Sequence, residues 1–361
     1  MNAFIALLPG DGIGPEVTHQ ARLTLESVAR LFNHQFRFET GLVGAAAIAA
    51  TGDPYPAETH ELCMKSDSVL FGAIGDPAFD NNPQASVRPE QGLLRMRKKL
   101  GLYANLRPVL SYPSLFDQSP LKNDRLEGVD FLVVRELISG IYFGEPRGRS
   151  ESGDMAFDSC VYRAEEIDRM IHLAFQASRM RKKKVTLVDK ANVLATSRLW
   201  RERFQHISAE YPDIEADTLF VDNAAMQLIL NPAQFDVMVT GNLFGDILSD
   251  EGSVLAGSLG ILPSASLGEH TGVFEPVHGS FPQAAGQNIA NPLAAILSAA
   301  MLLEHGLKLK EEAQMVRTAV DRVMASGQVS TDLGGSLGTN EVGTAVRETM
   351  THLLKPKAGT N

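Results

Sequence analysis

The 361-residue chain has only two cysteines, Cys63 and Cys160. Two cannot build a disulfide framework, so a reducing, cytoplasmic setting is expected. Long apolar runs are also missing, and no stretch reaches the length that spans a bilayer. The N-terminus has no basic segment ahead of its short apolar run, so no signal peptide is expected. Positive charge is in deficit: 33 Lys and Arg face 43 Asp and Glu, giving a net charge of −10 and a pI near 5.4. That balance argues against nucleic acid or a membrane surface as partner. One basic cluster stands out, Arg179–Lys184 (RMRKKK), and it closes a helical pattern, where cations complement the helix dipole. Repeats, low-complexity tracts and an obvious linker are absent.

What is present is a core. Hydrophobic residues make up 44% and charged residues 21% of the chain, a globular composition with length for two domains. β-rich apolar runs at Ala3–Leu8, Ser68–Ala73, Asp130–Arg135, Lys184–Asp189, Leu219–Asp222 and Asp236–Thr240 read as strands. Helical patterns lie between them at Glu16–Phe32, Glu165–Met180 and Ser197–Tyr211, with a long apolar helix expected at Pro292–His305. The alternation predicts an α/β fold rich in parallel sheet, and runs such as FLVV fit strands covered on both faces. Ser139–Ser159, rich in Gly and charge, reads as an arm or hairpin excursion, and Gly252–Gly286 is dense in glycine.

The first loop looks like a dinucleotide fingerprint and is not one. PGDGIG places Gly10, Gly12 and Gly14 as G-x-G-x-G, whereas the fingerprint requires G-x-G-x-x-G. Glu39, at the end of the next expected strand, imitates the ribose-binding acid.

Four sets of residues could carry chemistry. Arg135 ends a strongly apolar strand, which in an α/β fold points it toward the ligand crevice. Arg97 and Arg107 supply further guanidiniums, and several converging on one site suit a di- or tricarboxylate; Arg95 reads instead as an ordinary ion-pair arginine. Asp246 and Asp250, four apart on an expected helix, share one face. Such oxygen donors suit Mg²⁺ or Mn²⁺, though the spacing fits a solvated acidic face equally well. Lys190 and Asp222 stand at expected strand ends, where a lysine can serve as a base or simply reach water. Finally, Gly272–Pro292 is a long loop opening onto a helix, a setting suited to phosphate, and His278 lies within it.

Together LPGDGIGPEV, GLLRMRKKLGLYANLRP, VVRELISGIYFGEPRG, VDKANVL, GNLFGDILSD and EPVHGSFPQAAGQNIANP resemble the decarboxylating β-hydroxyacid dehydrogenases of the isocitrate/isopropylmalate type. The resemblance runs from about Phe4 to the final helix. It implies a two-domain α/β fold of mixed and parallel sheets flanked by helices, not a Rossmann fold. One domain would comprise residues 1–102 and 258–361, the other 103–257.

The resemblance also implies roles. Arg97, Arg107 and Arg135 match the substrate-carboxylate arginines, Tyr142 the acid that protonates the enol, and Lys190 the general base or its helper. Asp222, Asp246 and Asp250 match the metal ligands. Lys190 and Asp222 would come from the second subunit of a homodimer. Ile13, Gly75, Pro77, Glu90, His278, Gly279, Ser280, Gln283, Ala284, Gly286, Asn288, Ile289 and Asn291 match cofactor-binding positions. Gln91 and Leu93 stand where isocitrate-specific relatives carry serine and asparagine. A leucine there favours an isopropyl group and leaves a third carboxylate unpaired, so 3-isopropylmalate is the expected substrate. Gln283, Thr331 and Gly335 replace the lysine, tyrosine and arginine that hold a 2′-phosphate, so NAD is expected rather than NADP. Relatives acting on tartrate, malate or homoisocitrate share this machinery, and a metal- and phosphate-binding protein without redox chemistry is the alternative of another class.

Overall fold

The computed structural model describes residues 1–80 and 87–354. Its strands are β1 (Asn2–Gly10), β2 (Gln35–Thr40), β3 (Ser68–Ala73), β4 (Ala104–Leu110), β5 (Asp130–Glu136), β6 (Arg147–Arg149), β7 (Ala156–Asp158), β8 (Lys184–Asp189), β9 (Glu215–Phe220), β10 (Val237–Thr240), β11 (Pro263–Leu267) and β12 (Gly272–Pro276). Two compact units divide the chain, one formed by Met1–Gly101 with the segment from Ser258 onward, the other by Leu102–Gly257.

In the first unit the strand order is β2-β1-β3-β12-β11. All pairs are parallel except β11 with β12. β3 (SVLFGA) is buried at every position, as a doubly covered strand must be. Helix Gly14–Phe32 lays Val17, Ala21, Leu25 and Val28 into the core at i, i+4, i+8 and i+11. It ends at Asn33, whose left-handed conformation (φ 56°) closes the last turn. Helix Leu293–Met301 is buried all round and packs against it.

The second unit has the order β4-β5-β10-β8-β9, with β4 antiparallel to β5 and the other pairs parallel. Phe131, Val133, Met238, Leu248 and Leu255 belong to its core. β6 and β7 form a two-stranded antiparallel ribbon of exposed residues, so the Ser139–Ser159 excursion is a hairpin. The cations of RMRKKK follow helix Ala164–Ser178 and find carboxylates: Arg181 meets Asp130 and Asp236, and Lys184 meets Glu215 and Asp217.

Three expectations need correction. Leu219–Asp222 is strand only in its first two residues: β9 ends at Phe220 and a helix runs over Val221–Leu230, so Asp222 lies in its first turn. A carboxylate there faces unpaired N–H groups, which favour it. The apolar helix expected to His305 is regular only to Met301 and continues as a wider π turn over Leu302–Gly306. β4, β11 and β12 lie outside the expected strands, because prolines and small polar residues mask their pattern. No helix among the described residues is long and apolar enough to cross a membrane.

Candidate active site

In the second unit, burial at the end of β5 decides the geometry. Arg135 is 1% exposed, so its charge must be met within the protein. Nε donates to the Asn242 carbonyl (3.0 Å), Nη2 to Asn242 Oδ1 (2.8 Å), and Nη1 to Asp246 Oδ1. Asn242 and Asp246 lie on helix Asn242–Ala256, which β10 and Gly241 deliver alongside β5. Gly241 and Gly245 are required here. A β-carbon on Gly245 would sit 2.6 Å from Arg135 Cγ, so only glycine lets the helix approach the arginine.

Arg107 reaches the same helix from β4. Its Nε donates to Asn105 Oδ1 (2.7 Å), and Nη1 donates to Ser249 Oγ (2.7 Å) and Asp250 Oδ1 (3.0 Å). Its Nη2 is 3.6 Å from Asp246 Oδ1. Tyr142, on the short turn Gly140–Tyr142, donates its hydroxyl to Asp246 Oδ2 (2.9 Å). Asp246 is therefore the hub, with two arginines on one oxygen and the tyrosine on the other. Burial pushes the Asp250 carboxyl upward, opposed by Arg107 and reinforced by Asp246.

Lys190 and Asp222 form a separate pair. Lys190 Nζ donates to Asp222 Oδ1 (2.6 Å), and this bond holds the exposed Asp222 carboxyl below its usual range. The Lys190 N–H donates to Ser197 Oγ (3.0 Å), fixing the chain just after β8. Among the described residues no group of three or more His, Cys, Asp or Glu stands close enough to hold a metal ion. Asp246 and Asp250 are two carboxylates on one helix face, both met by Arg107.

In the first unit the opening glycine loop is a floor for the His278 loop. Ile13 N–H donates to the Ser280 carbonyl (2.7 Å), and a β-carbon on Gly12 would lie 2.0 Å from that same oxygen. Asp11, absent from the sequence expectations, organises this end. Its carboxylate accepts from the N–H groups of Ala45 (2.9 Å), Ala46 (3.0 Å) and Gly75 (3.0 Å). Gly75 in turn lies beneath Glu90 and near Ser280: a β-carbon there would be 3.2 Å from Glu90 Oε1 and 3.6 Å from Ser280 Oγ. Ile13, Gly75, Glu90 and Ser280 are thus brought together. Pro77 opens the short helix that follows.

Further along, Gly286 donates its N–H to Glu16, and Gln283 and Ala284 lie on the turn Pro282–Ala284, exposed and buried respectively. Burial lowers the His278 pKa; Nδ1 is 2.9 Å from the Gly279 carbonyl and Nε2 is enclosed without a partner. Asn291 caps helix Leu293–Met301 through the Leu293 N–H (3.0 Å) and donates to Asp332 (3.0 Å). A cavity of about 410 Å³ is lined by Asn288, Ile289, Thr331, Ser336, Leu337, Gly338 and Glu341, with no Lys or Arg among them.

Helix Pro89–Lys99 carries the remaining candidates. Gln91 is spent on the helix start, accepting from the Arg88 N–H (3.0 Å). Leu93 is half-buried, one turn before Arg97. Arg97 is buried with Glu275, 3.3 Å away, a partner that no pattern in the sequence marked. Arg95 pairs with Asp53 at a partly exposed position, as an ordinary ion pair.

Known proteins resemble the chain over nearly its whole length. The family model described as isocitrate/isopropylmalate dehydrogenase matches residues 4–346. A 3-isopropylmalate dehydrogenase from Geobacillus kaustophilus is 55% identical over 348 residues, covering 94% of each chain. One from Bacteroides fragilis is 52% identical over 347 residues, covering 95% of this chain and 97% of that one. Among solved structures, isocitrate dehydrogenase from Methylococcus capsulatus has a TM-score of 0.86 at 36% identity, covering 96% of this chain and 99% of that one. A β-decarboxylating dehydrogenase from Thermococcus kodakarensis has a TM-score of 0.80 at 35% identity, covering 98% and 97%. With this family's model matched almost end to end, and relatives identical at more than half of the aligned positions, the chain belongs to the isocitrate/isopropylmalate dehydrogenase family.

Proposed function

We propose that this enzyme oxidises and decarboxylates 3-isopropylmalate to 4-methyl-2-oxopentanoate in leucine biosynthesis, using NAD and Mg²⁺ or Mn²⁺, as a cytoplasmic homodimer. The observation that carries the reading is the cluster in which Asp246 meets Arg107, Arg135 and Tyr142 at once. Cations for a dicarboxylate, a proton donor and an oxygen ligand stand there within reach of one small molecule.

Arg97, Arg107 and Arg135 hold the substrate carboxylates through paired hydrogen bonds. Lys190 takes the C2 hydroxyl proton, directly or through water. A bound nicotinamide supplies the hydride acceptor, and a bound divalent cation supplies Lewis acidity at the substrate oxygen. Once C2 is a ketone, the carboxylate on C3 leaves as CO₂ and the electron pair of the broken bond passes into the C2–C3 enol. Tyr142 then gives its proton to C3 of the enol. Leu93 packs against the isopropyl group and rejects a third carboxylate, whose desolvation nothing there would offset.

Asp246 and Asp250 fit a hard divalent cation, and Asp222 from a second copy of the chain completes the set. Exposed apolar side chains support that second copy. Met226, Ile229 and Leu230 on helix Val221–Leu230, and Ile247 and Val254 on the neighbouring helix Asn242–Ala256, present a patch that association would cover. The cavity without cations supports NAD over NADP: the Glu341 carboxylate lines it, and its pKa is lowered by N–H groups and Asn288. Ile13, Gly75, Pro77, Glu90 and the His278–Asn291 loop take the remainder of the cofactor.

The test is turnover of a panel of 3-alkylmalates, isocitrate, tartrate and malate, with each cofactor, with and without EDTA. The reading expects highest kcat/KM for 3-isopropylmalate with NAD, and activity lost to EDTA and restored by Mg²⁺ or Mn²⁺. A preference for isocitrate, for NADP, or full activity in EDTA would each remove the corresponding part.

A further inference from the structure

Glu136 follows Arg135 on β5, points away from the arginine cluster and is wholly buried. Its two oxygens are occupied by backbone. Oε1 accepts from the Ile138 N–H (2.9 Å) and Oε2 from the Ser139 N–H (3.0 Å). The carboxylate thus closes the chain on itself immediately before Gly140–Tyr142. The turn is also fixed from outside. Leu137 N–H donates to the Tyr103 carbonyl (2.9 Å), and Asn242 Nδ2 donates to the Ser139 carbonyl (3.2 Å). Gly140 has φ +75°, and a β-carbon there would lie 2.2 Å from the Tyr162 hydroxyl oxygen. Tyr162 in turn accepts from the Asn242 N–H (2.8 Å). The segment that carries Tyr142 therefore rests on Glu136 from within and on Tyr162 and Asn242 from without.

We propose that Glu136 is a positioning residue: its carboxylate locks the Leu137–Tyr142 turn in the conformation that sets the Tyr142 hydroxyl on Asp246. This rests on the reading of Tyr142 as proton donor given above.

The surroundings bear on the charge of this carboxylate. Burial pushes Glu136 up to about 7 against the pull of the two N–H groups. Glu166 pushes it further and Arg169 draws it back, both from helix Ala164–Ser178. Tyr162 and Cys160 are the other titratable groups that feel its charge, and the β4 residue opposite it is Ala104. The ionised carboxylate accepts both N–H bonds. The acid places a proton on one oxygen, which then presents a donor to an N–H.

Glu136→Gln tests this, since it keeps the volume and one acceptor but turns an NH₂ toward an N–H. Expected are a fall in kcat of about 10-fold or more, KM for 3-isopropylmalate within about 3-fold, and faster hydrogen exchange at Leu137–Tyr142. Glu136→Asp should recover part of the loss. In a Tyr142→Phe background the Gln substitution should have little further effect on kcat, because it acts through Tyr142. Wild-type kcat in Glu136→Gln would overturn the proposal, as would a loss confined to KM. Full activity of Tyr142→Phe alone would overturn the reading of Tyr142, while the exchange data judge the lock separately. If Glu136→Gln does not fold, Glu136→Asp carries the test: its shorter side chain cannot reach both the Ile138 and Ser139 N–H groups as Glu136 does, so kcat must fall and exchange at Leu137–Tyr142 must quicken, and wild-type kcat and exchange overturn the proposal.

Discussion

The two units build their candidate sites from different materials. In the first, Gly12 and Gly75 have backbone conformations with positive φ, Ile13 and Gly75 spend their N–H groups on fixed partners, and the Ser280 carbonyl fills the space a side chain would need. In the second, Arg107, Arg135, Tyr142, Asp246 and Asp250 meet side chain to side chain, and glycine serves only to let a helix come close. A surface made of backbone is set by shape and tolerates no added atoms. A surface made of charge keeps its shape under isosteric substitution but loses its chemistry.

The largest expected effect comes from removing the hub of the charged cluster. Asp246→Asn should lower kcat/KM by about 10³-fold or more, since it weakens two arginine contacts and removes a proposed metal ligand; steady-state kinetics with a circular-dichroism check of folding measures this. A loss under 10-fold would remove Asp246 from the centre. Next is the backbone surface. Gly12→Ala should cost about 1–3 kcal/mol of stability through positive φ and the clash with Ser280, seen as a lower Tm, and should weaken NAD binding in calorimetry. Unchanged Tm would mean the loop has slack. Smaller again, Leu93→Ala should cost about 1–2 kcal/mol in kcat/KM for 3-isopropylmalate and less for 3-methylmalate, which tests whether one side chain of the first unit sets the substrate. The smallest effect belongs to a charge outside either surface. Arg95→Ala breaks a partly exposed pair with Asp53 and should change stability by less than about 1 kcal/mol with activity intact.

Much of this was written locally. FLVV followed by Arg135, the Asp246/Asp250 spacing and VDK after an apolar run each combine a period with a charge at its end, and such patterns survive folding. The strand reading of Leu219–Asp222 overran β9 by two residues because the apolar run continues from β9 into the next helix without a break, and only the N-terminal position of Asp222 explains its place. β4 was hidden by Pro108 in the middle of its run, and the first unit's last two strands by serine, glycine and proline.

The sequence by itself determined which residue types are available and on which element each stands, because helix and strand periods depend on near neighbours. Tertiary structure alone decided partners. Asp11 bonding to Ala45, Ala46 and Gly75, Glu275 meeting Arg97, and Glu341 lining a cavity all join positions far apart in the chain. Glu136 marks the boundary: its two N–H partners are two and three residues away, yet what makes it matter is the burial that surrounding strands and helices impose on its carboxylate. A buried charge must find its compensation wherever the fold brings it, and that location is not a property of the residues beside it in sequence.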